Sequence, residues 1–278
     1  MAGPSRCVVG MGGDSHQKPC SRSQIGNGTT SDPDGEVQVG TGFKAIAAGK
    51  WHSAGIKTDG SLWTWGAGES GQLGNGTGTS RSAPGLVGTG FATVACGSNH
   101  TLAIKTDGTL WAWGSNLKGQ LGDGTTTSRQ SPVFVGSGFQ SVAAGFAHTV
   151  ALKTDGTVWT WGDNTYGQIG DGSATPRSTP VLVTSGGRSI ASGHHHVLAV
   201  KTNGSLVAWG LNASSQLGDG TTTDRAAPVT VGWGFTAMAA GRDHSLGLKA
   251  DTTLWAWGDN KRAQLSFVRV RVRPGKVQ

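Results

Sequence analysis

Little in this sequence is built for redox or soft-metal chemistry: three cysteines, three methionines and one tyrosine stand among 278 residues. Cys7, Cys20 and Cys96 share no metal-ligand spacing, which argues against a cysteine-based metal site. Nor is any apolar run long enough to span a membrane. The opening stretch MAGPSRCVVGMGGDSHQKPC has no unbroken apolar segment, so no secretory signal is legible there. Acidic residues are also few, 16 against 23 lysines and arginines, a formal net charge of +7.

That excess invites a nucleic-acid reading until it is located. Residues 24–263 hold 16 basic and 15 acidic side chains, whereas residues 1–23 hold three basic and one acidic, and residues 264–278 four basic and none acidic. The body is nearly neutral. A basic groove on it is therefore not expected, and only the tail SFVRVRVRPGKVQ offers weak, salt-sensitive contact with phosphate.

What the chain has in abundance is glycine, 48 residues, and most of it is periodic. Histidine follows a Gly-x-x tripeptide at His52, His100, His148, His196 and His244, each 48 residues after the last. Trp63/Trp65, Trp111/Trp113, Trp159/Trp161 and Trp255/Trp257 keep the same step, with Trp209 alone in the fourth copy. Gln24, Gln72, Gln120, Gln168, Gln216 and Gln264 keep it too, as do Arg81, Arg129, Arg177 and Arg225. A fixed period across separated motifs defines a repeat protein. Cys96 falls in the slot of Ala48 and Ala144 and reads as a small buried thiol.

Within one repeat, FATVACG (91–97), HTLAIKT (100–106), TLWAWG (109–114) and SPVFV (131–135) are short β-branched and aromatic runs. Asp107-Gly108 joins the second to the third as a tight hairpin turn, and Asp59-Gly60, Asp155-Gly156 and Asn203-Gly204 repeat it. Each copy thus predicts about four antiparallel strands. Leu110 and Ala112 point to one side and Trp111 and Trp113 to the other, so both faces of the sheet are apolar and both need cover. Sheets stacked around an axis supply that cover: an all-β propeller, one blade per repeat. A β-solenoid is the alternative, though its rungs are usually shorter.

The recurrent Ala-Gly-x-x-His-Ser/Thr-x-x-x-Lys-Thr-Asp-Gly, then Trp-x-Trp-Gly, then Gly-Gln-Leu-Gly-Asp-Gly-Thr resembles the repeat of the regulator of chromosome condensation (RCC1) family over residues 24–265. The resemblance implies a seven-bladed propeller, whereas Gln24 to Ala263 is 240 residues, five repeats. Residues 1–23 read as a degenerate segment and 266–278 as a basic tail. The repeats stop abruptly, with Ser266 where Gly170 and Gly218 stand, which favours an incomplete copy of a longer propeller. Two other arrangements stay open: five blades closing on themselves, with the stretch SDPDGEVQV pairing to the C-terminal strands, or open blade edges covered by another chain, self-association included.

No catalytic constellation stands apart from the repeat, and no cofactor or metal is expected. The five in-register histidines read as framework rather than a metal ring, as do Trp65, Trp113, Trp161, Trp209 and Trp257, because residues one blade apart lie too far apart to share an ion. His194-His195-His196 predicts weak adventitious metal binding at most. The LGDGT loops lack the helix and lysine of a phosphate loop. Asp123, Asp171 and Asp219 are too dispersed for calcium.

Function is therefore sought where the copies differ. The variable positions follow Ala-Gly (Lys50-Trp51, Ser98-Asn99, Phe146-Ala147, His194-His195, Arg242-Asp243) and Trp-Gly, and antiparallel alternation puts both sets on one face. Trp51, Glu69, Lys118, Phe146, Tyr166, His194, His195 and Arg242 are the candidate face, rich in residue types that anchor protein interfaces. The expectation is a non-enzymatic scaffold for a protein partner. The resemblance implies two further readings, nucleotide exchange on a small GTPase such as Ran and inhibition of a secreted hydrolase such as a β-lactamase. Constant 48-residue steps leave no room for the wedge insertion of the exchange factor, and the long GDGTTTSR loop departs from the inhibitor's shorter repeats. The Ser/Thr/Gly-rich copies suit a bacterial surface or secreted protein, yet the compartment is left open.

Overall fold

The computed structural model describes residues 24–31, 33, 35–265 and 275–276. These form five four-stranded antiparallel meanders, in each of which the strands pair in chain order. The first blade is β1 (Phe43–Ala48), β2 (His52–Lys57), β3 (Leu62–Gly66) and β4 (Arg81–Gly88). The second is β5 (Phe91–Cys96), β6 (His100–Lys105), β7 (Leu110–Gly114) and β8 (Arg129–Gly136). The third is β9 (Phe139–Ala144), β10 (His148–Lys153), β11 (Val158–Gly162) and β12 (Arg177–Thr184). The fourth is β13 (Gly187–Ser192), β14 (His196–Lys201), β15 (Ser205–Gly210) and β16 (Arg225–Trp233). The fifth is β17 (Phe235–Ala240), β18 (His244–Lys249), β19 (Leu254–Gly258) and the two-residue β20 (Gly275–Lys276). First strands of successive blades lie side by side at the centre, and fourth strands stand outside.

Among its described residues the stretch SDPDGEVQV supplies no strand. The degenerate segment 1–23 and all of the basic tail except residues 275–276 lie outside the described residues.

The hairpin turns differ from the expectation in one detail. Of each Asp-Gly pair only the glycine takes a positive φ, such as 81° at Gly60 and 78° at Gly108. Asp59 instead accepts bonds from Ser61 N at 2.9 Å and Ser61 Oγ at 2.6 Å, fixing the turn from its side chain. The fourth strand also begins earlier than its apolar run. Arg129 already pairs with Gly114, because its guanidinium is anchored to Asp123 at 2.7 Å.

Blades are held together by seams that repeat. One face of the second blade (Leu102, Ile104, Leu110, Ala112) packs on Phe139, Ala151 and Trp161 of the third, all buried. The same seam joins the first blade to the second and the fourth to the fifth. Fully burying one Leu or Ile side chain is worth about 1.5–3 kcal/mol. Polar bonds fix the register of each seam. The indole of Trp113 and the hydroxyl of Thr101 both donate to the Gln72 carbonyl of the preceding repeat, at 3.0 and 2.8 Å. Trp65, Trp161, Trp209 and Trp257 repeat the indole bond on Gln24, Gln120, Gln168 and Gln216.

Histidine completes the seam. His52 Nε2 lies 2.8 Å from Thr101 Oγ1 of the next blade, His100 Nε2 3.4 Å from Thr149 Oγ1, and His196 Nε2 2.9 Å from Ser245 Oγ. The fourth blade has Val197 in the hydroxyl slot, and there His148 Nε2 meets Ser192 Oγ at 2.9 Å instead. Ser192 occupies the position of Ala48 and Ala144, so the lost hydroxyl returns from the neighbouring strand. These rings need the glycine three residues before them: a Cβ on Gly97 would lie 2.1 Å from His100 Cε1. Burial drives the imidazoles of His52 and His196 down to about 3 and that of His100 to about 4, and holds His148 well below the ordinary value.

Candidate functional site

The loops after the first and third strands meet at one end of every blade. A backbone bond ties them in each copy: Ala67 N to Trp51 O at 2.8 Å, Ser115 N to Asn99 O at 2.8 Å, and the equivalents from Asp163, Leu211 and Asp259. Asp-Gly turns lie at the other end, because the second strand runs away and the third returns. The variable positions therefore collect on one face.

Neighbouring loops are stitched across blades as well. Phe146 N donates to His194 O at 2.9 Å, and His194 N donates to Arg242 O at 3.2 Å. On this backbone four rings converge. Phe146 sits 4.5 Å from His194 and 5.5 Å from His195, Tyr166 sits 5.0 Å from His195, and the two imidazoles are 4.5 Å apart between centroids. Phe146 and Tyr166 remain about one third exposed, 36% and 37%.

Charged groups rim this cluster. Lys118 lies 3.9 Å from Asp163, which also accepts from Gln168, and Arg242 lies 3.3 Å from Asp243. Burial lowers the His194 imidazole to about 4, and His195, Arg242 and Lys50 push it the same way. Burial lowers His195 too, but Asp163 and Asp243 oppose the shift. Both rings are neutral at pH 7 and available for stacking.

Of the eight expected face residues, Phe146, Tyr166, His194 and His195 form one contact group, with Arg242 beside it and Lys118 joined through Asp163. Glu69 is apart from those contacts. Lys50 Nζ stands 5.6 Å from the Trp51 ring centroid, and Ser80 Oγ donates to Glu69 Oε1 at 3.3 Å. Two residues outside the expected set take part, Asp163 beside Lys118 and Asp243 beside Arg242. Both lie within the variable stretches after Trp-Gly and Ala-Gly, and that placement was the signal available in the sequence.

The Gly-rich loops below the face are closed by their own side chains. Asn116 Nδ2 reaches Asp123, Thr125 O and Thr127 O, while Arg129 grips the second oxygen of Asp123. Burial raises the Asp123 carboxyl, but Thr125, Arg129 and Asn116 outweigh it and leave it below the ordinary carboxylate range. Asp171 and Asp219 sit in the same network. Among the described residues no group of three His, Cys, Asp or Glu side chains is placed to hold a metal ion. No helix among them is long and apolar enough to cross a membrane.

Four-stranded blades around a centre, with the loops after their first and third strands gathered on one face, define a repeat propeller. The chain belongs to the RCC1-like domain family, whose model matches residues 9–278. Among solved structures it is similar to human WBSCR16, at 20% identity and a TM-score of 0.74, covering 84% of this chain and 66% of that one. Prp20p from Saccharomyces cerevisiae is similar at 22% identity and a TM-score of 0.73, over 84% of this chain and 65% of that one. Yeast RCC1 (Prp20) bound to Kap60 is similar at 19% identity and a TM-score of 0.66, over 84% and 74%. The chain thus spans just under two thirds of the length of the first two. No curated protein sequence matches it.

Proposed function

We propose that this chain is a non-catalytic propeller that binds another protein through its variable loop face. The observation that carries this reading is the partly exposed group Phe146, Tyr166, His194 and His195, assembled wholly from positions where the repeats differ. The framework does not require those rings there, and rigid aromatic side chains on fixed loops are typical interface anchors. Family membership supports the reading, since Prp20p has binding properties toward Gsp1p and histones. Weak phosphate contact through the basic tail is a separate, minor property.

A photo-reactive phenylalanine analogue at position 166 tests it in the full chain. The expected result is a discrete crosslinked protein band that the Phe146→Ala substitution removes without lowering the melting temperature. Crosslinking only from a control site on the Asp-Gly end, such as position 107, would contradict the reading. Accelerated nucleotide release from a small GTPase would replace it with the exchange reading, and loss of β-lactamase activity on mixing would replace it with the inhibitor reading.

A further inference from the structure

Every seam inside the chain joins two unlike half-faces. The earlier blade gives aliphatic side chains from its second and third strands, such as Leu102, Ile104 and Leu110, and the blade that follows gives a ring wall such as Phe139 and Trp161. Hydrogen bonds cross with them. Thr101, Thr149 and Ser245 each give their one hydroxyl proton to a glutamine carbonyl, so the imidazole of His52, His100 or His196 must be the donor to that oxygen. Both halves recur where no second sheet meets them among the described residues. On the trailing face of the fifth blade Leu248 and Leu254 are 40% and 43% exposed, and the half-buried His244 finds no hydroxyl among those residues. On the leading face of the first blade Phe43 and Trp65 keep the ring pairing of the inner seams, with centroids 6.2 Å apart against 6.5 Å for Phe139 and Trp161, while Ile46 stands 79% exposed. Ser53 Oγ there donates to Gln24 O at 2.9 Å, and no histidine among the described residues reaches it.

Repeat arrays that end in solvent carry polar outer faces on their terminal units. Here the two terminal faces keep the apolar residues and the donor and acceptor halves of a seam, and both stay exposed in the single chain. We propose that the trailing face of the fifth blade docks on the leading face of the first blade of a second copy, forming between chains the seam that recurs four times within one. Slot chemistry selects that occupant. His244 needs a hydroxyl whose proton is already given away, and Leu248 and Leu254 need a ring wall; Ser53, Phe43 and Trp65 stand in those slots on the first blade. Two fifth-blade faces set against each other would instead put leucine on leucine and histidine on histidine, with no hydroxyl for either. The contact is therefore head-to-tail and heterologous, so each pair keeps one open face at either end and symmetry does not stop association at two. This surface is separate from the loop face, and the proposal is independent of the protein-binding reading.

The test is analytical sedimentation of the full chain over about a hundred-fold range of concentration, alongside Ile46→Glu, which spoils the leading face, and Leu254→Glu, which spoils the trailing one. Both positions are exposed in the single chain, so neither substitution should lower the melt of dilute protein; should either unfold it, Ile46→Gln and Leu254→Gln serve. The unsubstituted chain is expected to rise from the mass of one chain to that of two and more. Each variant alone should stay at one chain. Mixed together, the two variants should form a pair that stops at two, because one retains only its trailing face and the other only its leading face. A single-chain mass at every concentration, as closure of the first blade on the fifth within one chain would give, overturns the proposal. Self-association by either variant alone, or no pairing in the mixture, overturns it as well and points to like-on-like contact or to unspecific aggregation.

Discussion

The inner seams and the two outer faces are made from the same repeat slots, yet their environments diverge. Leu62, Leu110, Val158 and Leu206 are fully buried, while Leu254 in the same slot is 43% exposed. Ile46 stands 79% exposed where Val94, Val142 and Ile190 are half-buried. His244 is only half-buried, whereas the other four framework histidines are closed off from solvent. Burial here is a property of the neighbouring blade, not of the blade that carries the residue. A residue type kept at every slot still contributes stability only where a second sheet covers it.

Acid should separate seam from outer face most strongly. His52, His100, His148 and His196 have folded-state pKa values depressed below the unfolded value of about 6.5. The native state then binds fewer protons, so this stability is complete above about pH 6.5 and is lost as pH falls toward the folded values. Each buried histidine costs about 1.4 kcal/mol per pH unit in that interval, so four at pH 5.5 cost roughly 5 kcal/mol. Denaturant titrations at pH 7.5 and 5.5 check this, and equal midpoints would break the seam account.

Cavity substitutions sharpen the same contrast. Leu206→Ala should cost about 2–5 kcal/mol and Leu254→Ala under about 1 kcal/mol, although the two share a slot. Comparable losses in thermal melts would mean that the fifth blade's face is covered in solution.

Smaller effects attend the repeats that break local rules. Asn75 stands in the slot of Asp123, Asp171 and Asp219, and Arg81 Nη1 is consequently buried with no hydrogen-bond partner. Asn75→Asp should stabilise the chain by about 1 kcal/mol, read as a rise in melting temperature that the reverse change at Asp171 mirrors as a loss. Thr252 holds a φ of 65° where the other four blades have glycine. Thr252→Gly should recover about 1 kcal/mol by removing a β-branched residue from the left-handed region, and an unchanged melt would show the turn to be unstrained.

The candidate face was partly legible. Alternation along short strands, with Asp-Gly turns at one end, was enough to gather Phe146, Tyr166, His194 and Arg242 on the other. It could not rank them. Trp51 and Glu69 share loop positions with His195 and the neighbour of Tyr166, and in the first blade Lys50 stands beside Trp51 and Ser80 beside Glu69. Which variable residues meet depends on the angle between blades, and a single repeat carries no record of that angle. Ser192 was overlooked for a related reason. It replaces an alanine in the first strand, and its meaning depends on Val197 being absent as a hydroxyl donor on the second.

The sequence by itself determined the repeat, its four strands, its turn residues and the end of each blade at which variation falls, because these follow from the period-two alternation of strands and from the conformational needs of glycine turns. Only the tertiary structure decided which slots are buried, which histidine finds which hydroxyl, and that Phe146 meets His194 of the next blade. Those contacts are set by the stacking and curvature of whole sheets, which bring together residues separated by one or more complete repeats.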